Sequence, residues 1–98
     1  MSYWLHQEAE AELDSAAAYY AERATLKIGV AFLEEFERAI GLLQINQQLG
    51  TRKEEGMRVY PLRRFPYSVV YREDADAGPQ IYAVAHQNRE PGYWRDRP

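Results

Sequence analysis

The sequence predicts an α+β domain: an N-terminal strand, then a helical hairpin packed on an antiparallel sheet of three or four strands. Three observations carry this. Between residues 7 and 48, apolar side chains recur three and four apart, the spacing of a helix face. Between residues 57 and 86 the composition shifts to Val, Ile and Tyr, which favour strands. Two of the strand-like runs flank an acidic loop, residues 73–79 (EDADAGP), whose Gly-Pro pair has turn chemistry.

The 98 residues form one domain, 1–98, with no internal repeat or linker. Apolar residues make up 46% and charged residues 28%, enough of each for one core and a wetted surface. There is no Cys, and the two His lie far apart, so neither a disulfide nor a metal site nor any cofactor is expected. No apolar run nears the roughly 20 residues of a membrane helix, and no basic-then-apolar export signal opens the chain. A cytosolic protein without a membrane partner is expected.

Taken in order, residues 2–6 (SYWLH) read as a short aromatic strand. Residues 7–24 read as a helix with Ala9, Leu13, Ala16, Ala17 and Tyr20 on its buried face. Acid near its start suits the helix dipole. Thr25 is placed to cap a second helix over residues 26–48, whose core stripe is Gly29, Leu33, Phe36, Ile40 and Leu43, widened by Phe32 and Ala39. Gly50 fits a position just past the helix end. Residues 51–56 read as a charged loop. Residues 57–62 read as a strand that Pro61 confines to an edge or ends, since proline donates no ladder bond.

The two arms of the hairpin are residues 66–72 (PYSVVYR) and 80–86 (QIYAVAH). On the first, Tyr67, Val69 and Tyr71 alternate with Ser68, Val70 and Arg72. On the second, Ile81, Ala83 and Ala85 alternate with Tyr82, Val84 and His86. Neither arm is apolar on one side only, so both faces of the sheet call for cover. The helices supply one. The other needs the tail, a second copy or a partner.

Charge is uneven. Residues 1–50 carry three basic and eight acidic side chains, and residues 51–98 carry nine and seven, within a total of −3. Eight of those nine cations are Arg, which forks onto carboxylate and phosphate. The acidic total argues against binding held mainly by phosphate neutralisation. Arg58, Arg63 and Arg64 beside the sheet, and Arg89, Tyr93 and Trp94 in the tail, are the partner-contact candidates. Each Arg has a rival reading as a partner of local Glu and Asp. Tyr93 and Trp94 have one as the closure of a core edge. His86, at the strand end, is either a general base or a lock on the tail's exit.

The order strand, two helices, three strands, aromatic-basic tail resembles the RelE/ParE superfamily of bacterial toxins. The resemblance is carried by residues 63–72 (RRFPYSVVYR) and 84–97 (VAHQNREPGYWRDR), supported by residues 9–13 (AEAEL), Tyr19-Tyr20 and Ala31-Phe32-Leu33. It covers nearly the whole chain. Where a Pro often precedes the Gly after the second helix, Gln47 and Gln48 stand here.

The resemblance implies a toxin of a type II toxin-antitoxin system, closer to the ParE-like, plasmid-stabilisation members. Its partners would be a cognate antitoxin and DNA gyrase, inhibited by binding with no catalytic residue. The alternative it implies is a RelE-like endoribonuclease acting on the ribosome and its mRNA through Arg58 or Arg64, His86, Arg89 and Tyr93. Aligned on the Tyr67–Tyr71 spacing, Tyr93 and Arg89 match nuclease positions. Ser68 and Gln87 stand where the nuclease pattern has Arg. That loss of two cations favours the ParE-like reading.

Overall fold

A computed structural model describes residues 2–98. The chain runs β1 (Trp4–Leu5), α1 (Gln7–Arg23), α2 (Leu26–Ile45), β2 (Thr51–Arg52), a 3-10 turn (Glu54–Gly56), β3 (Met57–Pro61), β4 (Tyr67–Arg72) and β5 (Gln80–His86). The strands form one sheet in the order β1-β5-β4-β3-β2. This is the expected α+β fold, with two differences in the sheet. It has five strands, and it is mixed: β1 lies parallel to β5, while the other pairs are antiparallel. β1 falls within the strand expected over residues 2–6, whereas β2, the added strand, lies in the expected loop 51–56 and at two residues is too short to show a period of two in sequence.

The helical hairpin forms as its caps dictate. The ring Nδ1 of buried His6 accepts the Glu8 N–H at 3.0 Å, capping α1 with an imidazole in place of the commoner hydroxyl or carboxylate. The Thr25 hydroxyl accepts the Ile28 N–H at 3.2 Å and caps α2. The helices cross closely at Gly29. A Cβ there would stand 2.8 Å from the Ala17 carbonyl oxygen and 3.0 Å from the Ala21 Cβ, so no larger residue fits. Phe32, Phe36, Ile40 and Leu43 of α2 meet Ala9, Leu13 and Ala16 of α1, and all are buried against one face of the sheet.

α2 ends at Ile45, three residues before the expected Gln48, and Asn46 caps it. Gly50 therefore lies well past the helix end, and its smallness has another cause. The Tyr71 hydroxyl accepts the Gly50 N–H at 2.9 Å and donates to the Gln47 carbonyl at 2.7 Å. A Cβ on Gly50 would sit 2.6 Å from that hydroxyl. Gln47 uses its side chain to hold the acidic loop, bonding both the N–H and the carbonyl of Asp74.

The hairpin carries a bulge. Val70 pairs with Ala83 and Tyr71 with Ile81, which leaves Tyr82 without a partner. The strict alternation expected for residues 80–86 fails at that point. Ile81 and Val84 both face the helices, while Ala83 and Ala85 face the other way with Tyr82. Pro61 ends β3, as its missing donor requires. No helix among the described residues is long and apolar enough to cross a membrane.

Candidate functional site

The helices cover one face of the sheet. The second face carries its own apolar cluster: Met57, Val70 and Ala83 buried, with Val59, Tyr82 and Ala85 partly so. The tail folds back over it and lays Tyr93 and Trp94 against this cluster. The cover is incomplete. A cleft of about 500 Å³ remains, with Val59, Val70 and Ala85 among its lining, Tyr93 and Trp94 as an aromatic wall, and Lys53, Arg89 and Arg95 among its charged groups. A smaller cleft of about 300 Å³ adjoins it around Glu12, Tyr19, Tyr67, His86, Arg89 and Tyr93.

The tail is tied to α1 through one carboxylate. Glu12 Oε1 accepts the Val84 N–H at 2.9 Å and an Arg97 N–H at 3.0 Å. Glu12 Oε2 accepts the Tyr93 hydroxyl at 2.6 Å and a second Arg97 N–H at 2.8 Å. Arg97 also donates to the Tyr82 carbonyl at 2.8 Å. Burial pushes the Glu12 carboxyl up, but the bonds from Arg97, Tyr93 and the Val84 N–H outweigh it and hold the group below the usual carboxylate range. Burial and the adjacent Glu12 carboxylate raise Tyr93 well above the ordinary phenol range. The Tyr93 ring lies under the Arg89 guanidinium at 3.9 Å, with Arg97 5.1 Å from its centre.

The structure brings some of the predicted residues together and not others. His86, Arg89 and Tyr93 line both clefts, and Trp94 lines the larger. His86 Nδ1 accepts the Asn88 N–H at 3.0 Å, and its ring meets Tyr67 edge-on at 5.0 Å. Arg58 lines neither cleft. It pairs with Tyr71 across the strands and points to the helix side, where it bonds Glu73 at 2.6 Å and the Gly50 carbonyl at 2.8 Å. Arg63 and Arg64 are exposed in the β3–β4 turn. The Arg63 N–H bonds Glu35 at 2.7 Å, and the Arg64 guanidinium lies 5.4 Å from the Phe65 ring centre. Glu12 and Arg97 organise the site, yet sequence reasoning gave neither a role there. They are 85 positions apart, beyond any local pattern. The available signal was an acid at Glu12 bordering the Ala-rich buried face of α1.

Fold and site together define a small α+β domain whose sheet is apolar on both faces and sheltered by its own chain on only one and a half. Residues 3–91 match the family described as the ParE toxin of the type II toxin-antitoxin system parDE, and the chain belongs to that family, within the RelE/ParE superfamily. Among solved structures it is similar to a chain of the chromosomal ParDE TA system from P. aeruginosa. The two are 25% identical with a TM-score of 0.75, over 88% of this chain and 95% of that one. No curated protein matches the chain.

Proposed function

We propose that this toxin acts by binding: a cognate antitoxin docks in the groove on the second face of the sheet, and the target is DNA gyrase. The observation that carries the reading is the groove itself. An apolar floor of Val59, Val70 and Ala85 lies open beside Lys53 and Arg89, with Glu90 and the Arg95–Glu54 pair also on its rim. An amphipathic segment with acidic flanks suits such a surface, its apolar side chains meeting the floor and its carboxylates the cations. The similar P. aeruginosa chain comes from a ParDE system, which supports an antitoxin partner here.

Binding without catalysis is favoured by what the nuclease candidates already do. Arg58 is occupied by Glu73 and the Gly50 carbonyl. The Tyr93 hydroxyl donates to Glu12, with its pKa raised, so it is poorly set to move a proton at neutral pH. Ser68 and Gln87 supply no positive charge for a phosphodiester transition state. The test is gyrase supercoiling with saturating folded toxin, repeated after adding antitoxin. Inhibition that the antitoxin reverses is expected. Unchanged supercoiling, with codon-phased cuts in translated mRNA by primer extension, would replace this reading with the nuclease one.

A further inference from the structure

The tail is fastened differently from the rest of the fold. The Gln87 N–H bonds the Pro66 carbonyl. Beyond it, the backbone–backbone bonds of the tail among the described residues reach back only three positions: Arg89 to His86, Tyr93 to Glu90, Arg95 to Gly92 and Arg97 to Trp94. No ladder joins it to the sheet. Side chains alone tie its far end down. Arg95 meets Glu54 at 2.8 Å, with side chains 47% and 77% exposed, a surface pair of little worth. Arg97 and Glu12 are only 9% and 17% exposed and meet through two parallel N–H···O bonds. That forked, sheltered geometry belongs to the stronger class of ion pair. Arg97 also shields the open edge of β5: its bond to the Tyr82 carbonyl, with the Glu12 bond to the Val84 N–H, fills the place a neighbouring strand would take.

We propose that residues 87–98 are a latched strap, a cover over the second face of the sheet that opens as a unit when the Arg97–Glu12 contact breaks. Opening lifts Tyr93 and Trp94 from the floor of Val70, Ala83 and Ala85 and bares the peptide groups of Tyr82 and Val84. A segment with few contacts outside itself opens locally at a small fraction of the cost of global unfolding. The closed strap is thus a built-in competitor for whatever fills the groove. This last consequence rests on the docking reading above; the strap itself does not, and its test uses the free chain alone.

The test compares wild type, Arg97→Ala, Glu12→Gln and Arg95→Ala under native conditions. Trypsin cleavage after Arg89 and Arg95 reads strap opening, with cleavage after Arg23 as the reference for the rest of the fold. In Arg95→Ala the strap is read after Arg89 alone. Binding of the dye anilinonaphthalene sulfonate reads exposure of the apolar face. Arg97→Ala and Glu12→Gln should speed tail cleavage about tenfold and raise dye fluorescence, with cleavage after Arg23 unchanged. Arg95→Ala should change tail cleavage less than about twofold. Tail cleavage within about twofold of wild type in both latch variants would overturn the proposal. So would tail and Arg23 cleavage rising together, or loss of folding in both, since the tail would then be part of the global core. If the latch opens as expected but no antitoxin binds either form, the docking reading fails and the strap stands.

Discussion

Glu12 holds three separate parts of the chain together. It joins α1 to the edge of β5 and to two side chains of the tail, and it is ionised in doing so. Its pKa lies below the ordinary value of 4.5, so its ionised form is favoured more in the folded than in the unfolded chain. The resulting stability is fully present above about pH 4.5 and is lost as the pH falls through the lower, folded-state value. Glu35, held down chiefly by Arg38, titrates in the same direction, so the whole protein's acid sensitivity does not isolate Glu12. Comparison with Glu12→Gln does. Hydrogen exchange of the Val84 N–H, whose bond Glu12 accepts, should be faster in the variant than in wild type at pH 7, and the gap should narrow at pH 3. A gap that stays constant would mean that the carboxylate charge is not what fastens the tail. The neighbouring Tyr93 shows what sequence cannot supply. Its match to a nuclease position was legible, but its bond to a carboxylate 81 residues away was not.

At the scale of elements, legibility followed period and length. α1 and α2 were readable because their stripes repeat over several turns, and every residue expected on those stripes is buried or packs against the core. Phe36 is the plainest case, 3% exposed between the hairpin and the sheet. Phe36→Ala should cost roughly 3–5 kcal/mol in chemical unfolding. A loss below about 1 kcal/mol would mean that the ring's site collapses freely or that the stripe does not define the core. The failures were of two kinds. β2 is too short for a pattern and lies in a run that reads as a charged loop; it gains its order from pairing with β3. The bulge at Tyr82 inverts the alternation of β5, so Ile81 and Val84 share a face that a period of two would have divided. One inserted residue is invisible to periodicity, although it decides which side chains floor the groove.

The whole molecule is a sheet shielded from behind by a helical hairpin and from the front by a partial strap. Apolar residues on both faces of residues 66–72 and 80–86 already pointed to two covers. What the sequence left open was who provides the second. The answer is divided: Tyr93 and Trp94 seal part of the front, and a cleft of about 500 Å³ beside them stays open. Membership of the ParE toxin family implies a cognate antitoxin, and the docking proposal seats it in that opening. Ala85 lines the cleft and is partly exposed, so a large charged side chain there would fill the groove without entering the main core. The most direct measurement is calorimetric titration of cognate antitoxin into wild type and Ala85→Arg, with thermal unfolding run in parallel. The docking account predicts at least about a hundredfold loss of affinity at a nearly unchanged melting temperature, a loss of roughly 2.7 kcal/mol in binding. Equal affinity in a well-folded variant would contradict it and place the antitoxin elsewhere on the molecule.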